Sequence, residues 1–502
     1  MKFVTLGLHT AESEKAKMQT GKKTFAFSRP MGTSILLLLV LLCWALSSSI
    51  GSGGDTDNHL SSIWCAWGEK ANVCEDLSET ATGYSATVPF MFQMCDGRPI
   101  DFSPACEFTK DHAPTQTLRT SAPAYQNLYY KFMRIFVTEN VQASVLIMRI
   151  FNSLLVTFLL FGVLRFCSGR NRIGLIIGFL TTLISVSIST ITSINPRSWA
   201  TIGVIFSWTF LYELMSNKNS KFVRNSLLAF YIICCSLAFS SRIDASTFLV
   251  FSNCLIILLV FINRGFSPRK ILFTGLKFFV PISFAVLLIP RLNSVISYQS
   301  SPSYGRLQFF TMQLVHIPES LAQIWAYDVG QQGNGPGLIG LIGFGVFVLF
   351  IGQGLQEINR RQGWLMSLTA AFIFITMYRG SLLVDSLVPL GGRYVLSLAA
   401  FFMGIVYVAS EGSLAFLAKN GFRTSVVVAL SSAHALALYS NIEFFTKRGQ
   451  NIGFYDALSL RGDWWWNSWS SPNWVFIFGV ISFIFFIKSA LDFLSNSITV
   501  EL

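Results

Sequence analysis

Charged residues are scarce in this chain. Asp, Glu, Lys and Arg make up 12% of its 502 residues, whereas hydrophobic residues make up 52% and the mean hydropathy is +0.54. A typical soluble domain carries about 25% charged residues. The composition therefore excludes an ordinary soluble protein and predicts an all-α, multi-pass integral membrane protein.

Acidic residues are scarcer than basic ones, with 25 Asp and Glu against 37 Lys and Arg and a net charge of +12. A basic balance can indicate nucleic-acid binding. Here, however, the basic residues fall in short clusters between apolar runs, as the positive-inside rule predicts for cytoplasmic connections. We therefore predict no nucleic-acid partner. The clusters lie at 165–172, 218–224, 264–270, 360–361 and 419–423.

Long apolar runs predict about twelve membrane spans. They lie at 33–49, 141–164, 173–193, 198–215, 226–241, 245–263, 274–290, 337–353, 364–379, 393–411, 424–440 and 474–494. An even number places both termini in the cytoplasm of a plasma-membrane protein. Residues 1–32 are then a cytoplasmic segment, 33–494 a single membrane domain and 495–502 a cytoplasmic tail. A cleaved signal peptide is the alternative interpretation of the first run, because small residues follow it.

No internal repeat is visible, so the inverted-repeat signature of many transporters is missing. The long connections fall on the extracytoplasmic face instead, at 51–140, 291–336, 381–392 and 441–473. Residues 317–325, with a proline near their start, predict a short amphipathic helix on the outer leaflet. We therefore expect the protein to work on its outer face.

Cysteine pairs with CxxC spacing are absent from the first outer connection, which leaves only a weak case for zinc. Four of the nine cysteines lie there, at Cys65, Cys74, Cys95 and Cys106. In an outward-facing loop they predict two disulfides, with three possible pairings. Proximity in sequence favours Cys65 with Cys74 and Cys95 with Cys106. The other five cysteines lie in or beside spans and are expected to fill the core.

Two carboxylates and an imidazole follow the first span, at Asp55, Asp57 and His59. Groups just beyond a span can reach a lipid-anchored substrate. Transfer of a sugar from a polyprenyl-phosphate donor needs a carboxylate that takes the acceptor proton. Asp55 or Asp57 is the candidate base, or together they hold a divalent metal ion. A solvated polar turn is the alternative interpretation.

Arginines near the outer interface are candidates for holding the departing phosphate. Arg306, Arg379 and Arg393, the last followed by Tyr394, are predicted there. Arginine is well suited to forked phosphate contacts. The alternative for each is a side chain that extends to lipid headgroups.

Three further polar residues, Asn195, Arg242 and Asp244, lie where apolar residues would cost less. Such groups usually face a cavity or each other, and a structural Arg242–Asp244 pair is the alternative to a substrate contact. His434, inside a predicted span, is expected to be a hydrogen-bonded core residue.

The last outer connection carries five tryptophans within residues 464–474. They predict either an aromatic belt at the membrane boundary or a stacking platform for sugar rings. In the second case Trp465 contacts the substrate and Asp463 is a hydrogen-bonding carboxylate beside it.

An ordered set of motifs resembles a large bacterial, mainly actinobacterial, family of membrane proteins known as domain-of-unknown-function family 2142. The motifs lie at 55–65, 195–200, 241–245, 391–394 and 464–472, and the resemblance runs over about residues 30–490. It implies kinship with the GT-C superfamily of polytopic glycosyltransferases, whose members have an essential acidic residue in the first outer loop.

On that likeness, Asp55 and Asp57 are the catalytic candidates. Thr56 and Asn58 depart from the family pattern, in which an acidic and an aromatic residue are usual. The acidic cluster is thinner as a result, which weakens the case for metal binding more than the case for a single-carboxylate base.

The sequence thus predicts a GT-C-like enzyme that transfers a sugar from a polyprenyl-phosphate donor to a cell-envelope glycan or glycolipid, in one inverting displacement. Its expected partners are the donor, the glycan acceptor and membrane lipids, and a divalent metal ion is its only candidate cofactor. Two other classes stay open, a lipid-linked sugar transporter or flippase and a non-catalytic envelope-assembly protein. A transporter predicts charges in the middle of spans, of which the sequence shows few.

Overall fold

Helices dominate the part of the chain that the computed structural model describes. The described residues are 29–49, 56–67, 74–76, 84–88, 115–119, 127–216, 219–264, 306–325, 337–356, 358–383, 392–410, 412–447, 464–466 and 470–501. In hydrocarbon no water is available to pair with backbone groups, and a helix satisfies them within one segment. The helical class predicted from composition is confirmed.

Fifteen α-helices are described in this part of the chain. They are α1 (Arg29–Leu46), α2 (Thr56–Trp64), α3 (Asn127–Met133), α4 (Val141–Phe166), α5 (Gly169–Thr182), α6 (Ser185–Thr192), α7 (Pro196–Ser216), α8 (Lys221–Ser241), α9 (Ile243–Asn263), α10 (Arg306–Ala322), α11 (Gly337–Gly354), α12 (Arg360–Leu383), α13 (Leu396–Val408), α14 (Asn420–Lys447) and α15 (Pro472–Glu501). Short 3-10 turns lie at Arg134–Phe136, Gly392–Tyr394 and Ala415–Ala418.

Seven of these helices are long and apolar enough to cross a membrane, namely α1, α4, α8, α9, α11, α14 and α15. The pair α5 and α6, bent by 97° at its break, makes an eighth if it is one span. Helices α7 and α12 are long but are not among the seven. Helix α13 has only 13 residues, about 20 Å of rise. The protein is therefore a multi-pass membrane protein, and the count of about twelve stays a prediction, since the expected span at 274–290 lies outside the described residues.

Several predicted boundaries need correction. Helix α1 begins at Arg29, before the predicted start at residue 33, and α15 continues to Glu501, so the expected tail is helical. Helix α10 begins at Arg306, and Pro318 lies near its end instead of at its start. A proline there removes one backbone hydrogen bond in the last turns of a helix.

A small antiparallel sheet interrupts the expected all-helical pattern within residues 51–140. Its strands are β1 (Cys74–Asp76), β2 (Tyr84–Val88) and β3 (Thr115–Arg119), in that spatial order. Glu75 pairs with Ser85 and Ala86 with Thr117. Strands of three to five residues carry too little alternation to be distinguished from loop by sequence.

Small residues bring the central helices together. Gly174 and Gly178 of α5 face Gly404 and Ala400 of α13, and a Cβ at Gly174 would lie 2.8 Å from the Gly404 carbonyl oxygen. Small residues four apart allow two membrane helices to approach closely where no hydrophobic force drives their association. The close approach of α5 and α13 thus depends on glycine and alanine at the positions where the two helices cross.

The break between α5 and α6 exposes carbonyl groups inside the bundle. The indole of Trp325 donates to the Thr181 carbonyl oxygen at 2.7 Å, and the Ser187 hydroxyl donates to the carbonyl oxygens of Thr182 and, at 3.0 Å, Ile184. Side chains therefore replace the backbone bonds that the bend removes, as a membrane interior requires.

Candidate functional site

The C-terminal end of α1 is bound by a buried arginine. The last turn of a helix leaves four carbonyl groups without partners in the helix. Arg149 of α4, only 3% exposed, donates to the carbonyl oxygens of Ala45 at 2.9 Å, Ser48 at 2.8 Å and Ser49 at 2.7 Å. A cation at this position also complements the negative end of the helix dipole.

Three more side chains bind the same helix end. Asn441 of α14 donates to the Ser47 carbonyl oxygen at 2.9 Å. The indoles of Trp465 and Trp466 both donate to the Leu46 carbonyl oxygen, at 3.2 Å and 2.7 Å. We call Arg149, Asn441, Trp465 and Trp466 the collar.

The collar changes the interpretation of the tryptophan cluster. Trp465 and Trp466 are 3% and 2% exposed, and Trp465 packs against Trp464 and Phe445 with ring centroids 4.3 Å and 5.9 Å apart. A buried indole needs an acceptor for its N–H group, which the helix end provides. In this conformation Trp465 therefore presents no free ring face to a sugar. Asp463 lies outside the described residues.

Helix α2 begins at Thr56, a few residues after the end of α1 that the collar binds, and it carries Asp57 and His59. His59 is buried, and its Nδ1 lies 2.9 Å from the Tyr130 hydroxyl of α3. Asp55 and the side chain of Asp57 lie outside the described part, so their roles as base or metal ligand stay predictions. Among the described residues, no three His, Cys, Asp or Glu side chains form a metal site.

Cys65, directly after α2, is disulfide-bonded. Its pairing stays a prediction, since the side chains of Cys74, Cys95 and Cys106 lie outside the described part. The five remaining cysteines are free, as expected for residues in or beside spans.

Aromatic contacts connect α2 to the start of α7. Tyr130 packs edge-on against Tyr129 with ring centroids 5.5 Å apart, and Tyr129 packs edge-on against Trp199 at 4.9 Å. The Trp199 indole donates to Asn152 Oδ1 at 3.0 Å. Burial, with the nearby Tyr130 as a smaller cause, raises the pKa of Tyr129 well above its usual value. The Tyr129 phenol is therefore neutral in this chain of contacts.

Asn195 has a local structural role in this chain of contacts. Its Oδ1 accepts a hydrogen bond from the backbone N–H of Arg197 at 2.9 Å, and Pro196 is the first residue of α7. This is the usual arrangement of a helix N-terminus, with an Asn cap followed by proline. The cap therefore fixes the backbone at Arg197, the second residue of α7.

Arg197 and a second arginine line a small polar pocket next to Trp199. The pocket has a volume of about 20 Å³, and its lining residues are Arg197, Ala200, Thr201, Arg242, Asp244, Ala245, Phe248, Tyr394 and Ser397. We call it the Arg242 pocket. Space of this size admits about one water molecule or a single oxygen of a larger ligand.

The charges of the Arg242 pocket are held in fixed positions. Arg242 donates two parallel hydrogen bonds to Asp244, from Nε to Oδ1 and from Nη2 to Oδ2, and each is 2.9 Å long. The guanidinium carbon of Arg197 lies 4.2 Å from the centroid of the Tyr394 ring. Two guanidinium groups against one carboxylate leave an excess of positive charge, which suits a phosphate oxygen. The ion pair considered for Arg242 and Asp244 is confirmed.

The structure thus brings together three predicted residues, Arg242, Asp244 and Tyr394. The side chains of Arg306 and Arg393 lie outside the described part, and Arg379 is exposed on α12. His434 is fully buried and stacks on Phe483 at 3.9 Å, which confirms its place in the core, but the expected hydrogen bond of its ring is not found among the described residues.

Sequence reasoning missed Arg149 and Arg197 as members of the site. Arg149 lies within the predicted span 141–164, and a charge inside a span is the signal that could have identified it. Arg197 carried a weaker signal, its place directly after the Asn195–Pro196 turn.

Comparison with known proteins identifies one family. The model of the family described as "Predicted membrane protein (DUF2142)" matches residues 38–329, more than half of the chain. The matched region contains α2, α4, α7 and α9, whereas Tyr394 and the collar residues after α13 lie beyond it. No curated protein matches the chain, and no solved structure does.

Proposed function

The chain belongs to this DUF2142 family of predicted membrane proteins, and from that premise we propose that it is a glycosyltransferase of GT-C type. The proposed reaction moves a sugar from a polyprenyl-phosphate donor to a cell-envelope glycan or glycolipid. It takes place on the extracytoplasmic face of the plasma membrane, with both termini in the cytoplasm.

One observation carries the proposal. Helix α2, which bears Asp57 and His59, lies at the same end of the bundle as the Arg242 pocket. The collar fixes the end of α1 before it, and the contacts from His59 through Tyr130 and Tyr129 to Trp199 link it to α7. Sugar transfer with a polyprenyl phosphate as the leaving group needs an acidic residue and cationic residues at the same membrane surface.

The proposed chemistry is a single displacement with inversion. The acceptor hydroxyl oxygen forms a bond to the anomeric carbon as the bond from that carbon to the phosphate oxygen breaks. The proton passes to the carboxylate of Asp55 or Asp57, and the polyprenyl phosphate leaves with the electron pair. Arg242 and Arg197 stabilise the charge on one phosphate oxygen.

Replacement of the acidic residues tests the proposal. The Asp55→Asn, Asp57→Asn double variant is expressed in cells that lack the native protein. Their lipid-linked glycans are expected to match those of cells that contain no copy of the protein. With purified protein and a panel of polyprenyl-phosphate sugars, transfer should fall by about 10²- to 10⁴-fold, the usual contribution of a positioned base. Glu139→Gln is the matched control, because Glu139 is an exposed carboxylate next to α4.

The proposal fails if the double variant, expressed at parental levels, restores the glycan pattern as well as the Glu139→Gln control. It also fails if the parent protein binds no polyprenyl-phosphate sugar of the panel.

A further inference from the structure

The bundle has a second polar pocket at the end opposite the collar. It is lined by Arg29, Leu36, Arg423, Phe485, Lys488, Ser489, Asp492, Phe493, Ser495 and Asn496, and its volume is about 490 Å³. We call it the Lys488 pocket. Arg29 begins α1 and Arg423 lies in the first turn of α14, whereas the collar binds the far end of α1 and includes Asn441 near the far end of α14. Pockets of about 300–1,000 Å³ are the usual size for small-molecule sites.

The charge of the Lys488 pocket is positive. Its cations, Arg29, Arg423 and Lys488, come from three different helices, and Asp492 is the one carboxylate among the lining residues that the structure describes. Asp492 is already engaged, since Arg423 Nη1 lies 2.7 Å from its Oδ1. That ion pair holds Arg423 in place at the pocket. Ser495 and Asn496 add a hydroxyl and an amide to the lining, and the Asn496 amide donates to the Asp492 carbonyl oxygen at 2.6 Å.

One side of the Lys488 pocket is apolar and lies between α1 and α15. Leu36 of α1 and Phe485 of α15 line it, and Phe485 is 54% exposed. The two helices run antiparallel side by side. The Thr33 and Ser489 hydroxyls lie 2.7 Å apart, and a Cβ at Gly479 would lie 3.2 Å from the Cβ of Cys43. We call the line along which α1 and α15 meet the seam. It continues about 15 Å from the pocket towards the middle of the bundle.

We propose that the Lys488 pocket binds an anionic glycerophospholipid, with the phosphodiester on Arg29, Arg423 and Lys488 and an acyl chain along the seam between α1 and α15. A soluble anion would need the cations but not the apolar wall, and a neutral lipid would need the wall but not the cations. Basic pockets between membrane helices are known to take anionic headgroups. This site is independent of the proposed sugar transfer.

Lipid binding to the purified full-length protein tests the proposal. In neutral detergent, phosphatidylglycerol and phosphatidylcholine with the same acyl chains are titrated, and bound lipid is counted by native mass spectrometry. Phosphatidylglycerol is expected to bind at least tenfold more tightly. Lys488→Gln and Arg29→Gln should each weaken its binding about fivefold, the effect of about 1 kcal/mol per cation.

Lys221→Gln is the matched control. Lys221 is an exposed cation at the start of α8, outside the pocket, so its loss should leave phosphatidylglycerol binding unchanged. Thermal unfolding of each variant without lipid checks that the fold is intact.

Three results would overturn the proposal. The first is equal binding of phosphatidylcholine and phosphatidylglycerol. The second is an equal loss in Lys221→Gln and Lys488→Gln, which would indicate general surface charge. The third is inorganic phosphate that binds as tightly as the lipid and displaces it, which would indicate a soluble anion as the ligand.

Discussion

Arg149→Met is expected to destabilise the C-terminal end of α1. The parent guanidinium makes three hydrogen bonds to carbonyl oxygens, and bonds from a charged donor contribute roughly 1.5–3 kcal/mol each. Removal of a buried charge returns several kcal/mol of desolvation cost. The difference leaves a loss of about 2–4 kcal/mol in the free energy of unfolding.

The measurement is unfolding of the purified protein in mixed micelles, with an added denaturing detergent as the titrant. Arg165→Met is the matched control, because Arg165 lies in the same helix but is exposed. Its replacement should change the free energy of unfolding by less than about 0.5 kcal/mol. Arg149→Lys should fall between the two, since an ammonium cannot reproduce the planar fork of a guanidinium.

The reasoning would be refuted by coincident unfolding curves for Arg149→Met and Arg165→Met. Such a result would mean that water or other donors satisfy the helix end as well as Arg149 does, and that the collar does not fix the start of the acidic segment.

Two further substitutions test the packing. Gly178→Ala places a methyl group against a backbone carbonyl of α13 and should cost about 1–3 kcal/mol in unfolding free energy, whereas Gly352→Ala meets nothing within 4 Å and should not destabilise; equal stabilities would contradict the close crossing. Trp466→Phe removes the indole donor to Leu46 and should cost about 1 kcal/mol, while Trp474→Phe, at an exposed site, should match the parent in the same assay.

The helices were largely predictable because hydrocarbon imposes length and apolarity on each one separately. The runs at 141–164, 226–241 and 245–263 coincide with α4, α8 and α9 to within a few residues. The bend after Thr182 was not predictable. It depends on Trp325 reaching the Thr181 carbonyl from a segment far along the chain, and no local pattern records that contact.

Part of the candidate site was predictable as individual residues, but its arrangement was not. Asn195, Arg242 and Tyr394 each stood out as polar or aromatic residues at a span end. Sequence could not show that Asn195 caps a helix, or that Arg197 lies over Tyr394. The tryptophan cluster differs from the prediction for a related reason. A tryptophan-rich segment at a membrane boundary predicts contacts with the interface or with a ligand. It does not show that the carbonyl groups at the end of a helix far away in the sequence need hydrogen-bond donors.

The collar also has a consequence for biosynthesis. Its acceptors in the first span leave the ribosome early, whereas Asn441 and Trp466 are separated from them by 394 and 420 positions. At typical translation speeds, the nascent protein waits roughly 20–80 s with that helix terminus uncapped by them. A product of premature termination before Asn441 would thus insert its early segments but never complete the collar.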